Sequence, residues 1–188
     1  MPFDKIFVKR FGSESRCPTP YHHEVIRTRT EDDLERLVDA LALVAEADRY
    51  PTRWPTDPAR WIRSREVIGA WVADDGGDLL GHVNLRRPGD HMPARMWRAR
   101  GGSGECALVS RLFVVPAARR RGLGLALLEV ACARAAELDR RPVLDVRDDN
   151  VAAVALYRRL GWTDLGSYED RFHDDGPVER LHCFAGPS

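Results

Sequence analysis

The ten residues from Cys106 to Val115 read Cys-Ala-Leu-Val-Ser-Arg-Leu-Phe-Val-Val, an almost unbroken apolar run that Pro116 closes. A strand that lies on one core only alternates apolar and polar residues, whereas one apolar on both sides must be covered on both. The run therefore predicts a central strand in a sheet flanked by helices. After Pro116 comes a turn of cations and glycines, Ala117 to Gly124, that opens directly into an alanine- and leucine-rich helix over residues 123–138. A strand over 142–147 and a helix over 151–160 follow, with Gly161 where a helix ends on a left-handed residue. Strand, helix, strand, helix in this order implies parallel pairing inside a mixed α/β sheet.

The flanks fit the same architecture. Residues 24–29 form a short strand-like run, and Thr30 with Glu31, Asp32 and Asp33 begins a helix expected over 31–47, with Leu34, Leu37, Val38, Leu41 and Val44 at helical spacing. Asp57-Pro58 reads as a cap with proline at the first helical position of a short helix carrying Trp61 and Ile62. Strands at 68–73 and 79–85 flank Asp74-Asp75-Gly76-Gly77-Asp78, a hairpin signal. Residues 86–104, with Pro88, Gly89, Pro93 and a Gly101-Gly102-Ser103-Gly104 run, are expected to be an irregular inserted loop. Its five arginines make it either a flap favouring anionic groups or a solvated loop. Final strands are expected at 162–168 and 180–184, and residues 1–23, which hold the His22-His23 pair, form an N-terminal extension to a domain over 24–188.

Chemistry is expected where the apolar strand meets the glycine turn. N–H groups in the first turn of a helix lack intrahelical acceptors, the helix dipole adds positive potential there, and glycine lets a phosphate approach the main chain. A Walker loop is excluded because no lysine stands near, and a dinucleotide fingerprint starting at Gly122 would need glycine where Leu127 stands. The pattern that remains is R-x-x-G-x-G at Arg119, Gly122 and Gly124. A second block follows: Asn150, an alanine-rich turn, Leu156-Tyr157, then Leu160-Gly161-Trp162.

These two blocks in this order resemble the acyl-CoA signatures of the GNAT superfamily of N-acetyltransferases, with the resemblance strongest over residues 106–162. It implies an α/β fold with a mixed central sheet of about six to seven strands, a splayed parallel pair and about four flanking helices. By resemblance, the main chain of Leu112, Phe113 and Val114 pairs with the pantetheine arm of acetyl-CoA. Arg120, Arg121, Gly122, Leu123, Gly124 and Leu125 hold the pyrophosphate, with Arg119 at its mouth. Asn150 contacts the CoA arm, a role compatible with capping the helix it begins.

The activity so implied is acetyl transfer from acetyl-CoA to a primary amine by direct attack in a ternary complex. An amine with a pKa of about 10 is free only about one part in a thousand at neutral pH, so a base or a proton wire helps. The departing thiolate needs a donor. Tyr157 resembles the family's donor tyrosine, and a packed aromatic is the plainer alternative. Many members carry a glutamate in the central strand, but Leu108-Val109 occupy that neighbourhood here. Asp145 then stands as the base, in Leu144-Asp145-Val146-Arg147, where the family's peptide N-terminal acetyltransferases carry glutamate in Glu-Val-Arg. One methylene shorter, it favours a bridging water. An ion pair with Arg147, two residues along the strand, competes for it, and Glu105 is a remote third candidate. The acceptor groove, by resemblance, is built from the first two helices and loops such as 86–104. An acyl-CoA-binding or sensing module without catalysis is the alternative on the same fold.

Composition bounds the partners. Twenty-nine basic and 29 acidic residues give zero formal net charge, which disfavours dedicated nucleic-acid binding. Cys17, Cys106, Cys132 and Cys183 show no metal-ligand spacing, so no metal is expected, and reduced cytosol is the simplest compartment. No signal peptide or membrane span is read. The expected partners are acetyl-CoA and an amine acceptor, either a small molecule or a protein N-terminus, with a homodimer as a further expectation.

Overall fold

The computed structural model describes residues 25–171 and 176–187. The expected extension over residues 1–23 lies outside the described residues, as do His22, His23 and Cys17. The described residues form two compact units, one of residues 25–84 with Arg111–Ala131, the other of Leu85–Ser110 with the described residues from Cys132.

In the first unit, strand β1 (Val25–Thr28) runs antiparallel to β2 (Val67–Asp74) in the register Val25↔Asp74 to Thr28↔Trp71. Strand β3 (Leu79–Arg86) follows β2, and the final stretch of β4 (Glu105–Val114) lies on its other side, where Val115 N–H donates to Leu80 O at 2.9 Å. The β2–β3 turn closes as the sequence predicts: Asp75 Oδ1 accepts from the N–H groups of Gly77 at 3.1 Å and Asp78 at 2.9 Å. The helix expected from Glu31 begins as a single 3₁₀ turn, Glu31–Asp33, and becomes α-helical as α1 (Leu34–Asp48). The buried Asp33 carboxylate explains the tight start: it accepts from Thr30 N–H at 2.7 Å and from both terminal nitrogens of Arg27 at 2.7 Å. Those guanidinium contacts hold its pKa down at about 2. Helix α2 (Pro58–Arg63) is capped as expected, Asp57 Oδ1 accepting from Arg60 N–H at 2.9 Å. Leu37, Leu41, Ile62, Val72 and Val83 are fully buried in this unit, and α4 (Leu123–Glu137) begins in it.

In the second unit, β4 enters in parallel with β5 (Arg140–Arg147) from Glu105↔Arg140 to Leu108↔Val143. The ladder stops there, although the strands run on to Val114 and Arg147. Strand β7 (Glu179–Ala185) runs antiparallel to β5 and to β6 (Thr163–Asp170), so the seven-stranded order is β1-β2-β3-β4-β5-β7-β6. The mixed sheet with one parallel pair is the fold that the sequence implies.

One expectation is corrected. Residues 86–104 are not irregular throughout: Met92–Ala99 form helix α3, making five α-helices among the described residues with α5 (Val151–Arg159). Pro93 reads as a loop marker, but it lies in the first turn of α3, where its missing N–H costs nothing. Gly101 at φ +79° ends the segment. Helix α3 buries Ala94 with Cys106, Leu108, Val143, Leu165, Cys183 and Ala185, and Met96, Trp97 and Tyr168 pack on that core.

Candidate active site

The glycine turn belongs to the first unit. A 3₁₀ turn, Pro116–Ala118, ends β4; Arg120 has φ +61° and Gly122 φ +87°, and Gly122 O then accepts from Ala126 N–H at 3.0 Å as the first bond of α4. Only glycine takes this conformation at Gly122 without strain, and a Cβ there would meet nothing within 4 Å. The turn is thus set by backbone conformation and faces open space. Helix geometry leaves the N–H groups of Leu123, Gly124 and Leu125 without intrahelical acceptors, gathered at the positive end of α4's dipole. Arg120 and Arg121 are exposed. Arg119 is committed locally: its guanidinium forks onto Asp48 of α1, and its Nε donates to Val114 O at 3.4 Å.

Upstream, Phe113 O lies against Gly81 and Val115 N–H against Leu80, so those residues aim their main chain at β3. Strand alternation turns the N–H and C=O of Leu112 and Val114 to the opposite edge. At Arg111 the strand bends through φ +54°. Its carbonyl is fixed by His82, a fully buried residue of β3 with Nδ1 3.0 Å away. Arg29 Nη1 lies 3.3 Å from His82 Nε2, which must therefore accept, leaving the proton on Nδ1. Burial pulls the pKa of His82 down to about 3, so the ring is neutral. Asn84, also fully buried, accepts from Arg29 at 3.3 Å and donates to Ile62 O at 2.7 Å. The Arg111 guanidinium stacks 3.7 Å from the Trp61 ring centre. No motif flags this buried network, whose signal in the sequence is two polar residues, His82 and Asn84, at alternate positions of an apolar strand.

In the second unit, Asp145 stands opposite Cys183 in the β5–β7 register. Its carboxylate does not pair with Arg147, which corrects that expectation: Arg147 turns to Asp149, Nε to Oδ1 at 3.0 Å, and to Glu179 at 3.7 Å. Asp145 Oδ2 instead accepts from the Tyr168 hydroxyl at 2.7 Å. Burial, then the neighbouring Asp145 carboxylate, raises the Tyr168 pKa well above the ordinary phenol value, so it stays a donor. Ser110 lies on the same face of β4 as Leu108, and its Oγ is shielded from solvent with no hydrogen-bond partner. Neither Tyr168 nor Ser110 belongs to a sequence motif. Glu105 lies at the start of β4, paired with Arg140.

Asn150 caps α5, its Oδ1 accepting from Ala153 N–H at 3.2 Å. Two turns on, Tyr157 is buried, its ring 5.4 Å from Trp162 and 5.5 Å from Phe184. Gly161 at φ +75° and the Trp162 N–H to Tyr157 O bond at 3.0 Å close the helix and fix the tyrosine's turn. The second unit thus carries Asp145, Asn150 and Tyr157, and the first carries Leu112, Phe113, Val114 and Arg119 to Leu125. Among the described residues no cluster of His, Cys, Asp and Glu is suited to a metal ion, and no helix is long and apolar enough to cross a membrane.

Known proteins resemble this chain in sequence and in fold. Residues 32–162 match the model of the acetyltransferase (GNAT) family. A mycothiol acetyltransferase of Geodermatophilus obscurus is 40% identical over 155 residues, 79% of this chain and 46% of that protein. An uncharacterized N-acetyltransferase of Methanocaldococcus jannaschii is 31% identical over 147 residues, 74% of this chain and 60% of that protein. The chain therefore matches only about half of each of these relatives. Among solved structures, Arabidopsis thaliana NAA60 in complex with acetyl-CoA superposes with a TM-score of 0.64 at 21% identity, covering 85% of this chain and 96% of that one. The ribosomal-protein-S18-alanine N-acetyltransferase of Escherichia coli superposes at 0.60 and 19% identity, covering 87% and 93%. With the family model spanning most of the chain and both signatures on their expected elements, this chain belongs to the GNAT family of acetyltransferases.

Proposed function

We propose that this protein transfers an acetyl group from acetyl-CoA to a primary amine by direct attack within a ternary complex. The observation that carries this reading is the turn from β4 into α4, where Gly122 at φ +87° leaves open space before a helix N-terminus. A pyrophosphate held there meets the N–H groups of Leu123, Gly124 and Leu125, with Arg120 and Arg121 exposed beside it. Arg119, bound to Asp48, tethers the turn to α1. The outward main-chain groups of Leu112 and Val114 are suited to the amide-bearing pantetheine arm, Phe113 anchoring the strand between them. Acetyl-CoA supplies an activated thioester, and the chain's residues handle the protons. Asp145 accepts the amine proton, directly or through a water. Tyr157 donates a hydrogen bond to the thioester sulfur as the carbon–sulfur bond breaks and CoA leaves as thiolate, which takes its proton from solvent, and Asn150 orders the start of the helix that carries Tyr157.

The acceptor class is tested by CoA-thiol release over a panel of amines: peptides with free N-termini, amino sugars, amino acids and polyamines. Release that depends on one amine class supports the reading. Binding of acetyl-CoA without amine-dependent release across the panel assigns the chain to non-catalytic acyl-CoA binding instead.

A further inference from the structure

Tyr168 reaches Asp145 from β6, across the intervening strand β7, to place its hydroxyl 2.7 Å from Oδ2. Nothing in the two acyl-CoA signatures requires a hydroxyl there, and a phenylalanine would pack equally well on the apolar core that Met96 and Trp97 of α3 also cover. The hydroxyl has one evident task, which is to hold the carboxylate. An aspartate on a strand rotates about two side-chain bonds, and a donor on Oδ2 removes most of that freedom, leaving Oδ1 as the oxygen that accepts a proton.

We infer that Tyr168 is a positioning residue for Asp145, fixing the carboxylate's orientation for proton transfer from the amine. This rests on the reading of Asp145 as the base. Each turnover moves one proton from the amine to Asp145 and on to solvent, and Tyr168 keeps its own. Burial keeps Tyr168 from competing as an acid. The other groups that bear on the pair are few. From β7, the buried Cys183 thiol is pushed up to about 12 by burial and then by Asp145, so it stays uncharged. On β6, Asp164 and Asp170 add negative potential. Cys106 on β4 is raised by burial, and Arg98 of α3, with Arg140 and Arg141 of β5, adds positive potential beside it, opposed by Glu105.

The test compares the wild type with Tyr168→Phe, Asp145→Asn and the double variant, using the fastest amine of the panel and the ¹³C carboxyl resonance of residue 145 at neutral pH. Removing the donor frees the carboxylate, so Tyr168→Phe should displace that resonance. Turnover at neutral pH should fall about three- to tenfold with acetyl-CoA affinity unchanged, and in the Asp145→Asn background the same change should have no further effect on rate. Replacing Tyr168 by 3-fluorotyrosine, a stronger donor of nearly the same size, should displace the resonance the other way and keep turnover near the wild-type rate. A lowered melting temperature with neither resonance nor turnover displaced overturns the positioning role. If the resonance moves while Asp145→Asn keeps the wild-type rate, the base assignment fails and the hydrogen bond stands. The resonance reports on the pair even where no amine of the panel turns over.

Discussion

At the scale of single residues the proposed chemistry divides between a buried phenol and a strand carboxylate. Tyr157 is held on three sides, by Trp162, by Phe184 and by the backbone closure at Gly161, so removing its hydroxyl leaves the packing intact. Tyr157→Phe should lower kcat by about 10- to 1000-fold and leave acetyl-CoA affinity almost unchanged, because the hydroxyl acts on charge that develops late. Turnover and calorimetric titration on the same preparation check this. Asp145→Asn should lower turnover most at neutral pH, with the defect shrinking toward pH 9.5 as free amine accumulates from a pKa of about 10. A constant ratio of variant to wild type from about pH 6.5 to 9.5 would remove Asp145 from the proton path. Side-chain parity on β5 suggests an ion pair of Asp145 with Arg147, but Asp149 and Glu179 take that guanidinium, a choice made by turn geometry and by a strand more than thirty residues away.

At the scale of elements, the proposed function depends on how β4 bends and how it hands over to α4. Gly122→Val forces a β-branched residue into φ +87° and should weaken acetyl-CoA binding by more than about 1.4 kcal/mol, a tenfold loss, with the fold intact by circular dichroism. The bend at Arg111 depends on neutral His82. The pKa of His82 is lowered from about 6.5 to about 3 in the folded chain, so its contribution to stability is complete above pH 6.5 and declines as the pH falls toward 3. His82→Gln should cost roughly 1–3 kcal/mol at neutral pH by disturbing a buried bond to the Arg111 carbonyl. Its melting temperature should also vary less than that of the wild type between pH 6.5 and 4. These elements differ in how far the sequence exposes them. The buried strand, the glycine turn and the capped helices α2 and α5 are legible because local residues dictate them. Helix α3 is not: its one proline occupies a first turn, and the surrounding glycines mask eight helical residues whose stability comes from packing on β5, β6 and β7.

At the scale of the whole molecule, the order of elements and the two signatures were enough to read the family and the mixed sheet. The partners of Asp145 were not, because Tyr168 arrives through the sheet order β5-β7-β6, which no local pattern encodes. The acceptor is equally hidden, since the segments that the proposed groove would draw on, such as α3, follow no shared spacing. The proposed activity is one covalent event, the transfer of an acetyl group from a thioester to an amine. Its most direct test is to supply acetyl-CoA labelled in the acetyl carbon together with the amine panel, and to follow label and free CoA thiol by mass spectrometry. Label should appear on the amine nitrogen in equal measure with released thiol, with none retained on the protein, and both should appear about 10- to 1000-fold more slowly in Tyr157→Phe. Label held on the protein, or thiol released at the same rate without any amine, would contradict that activity.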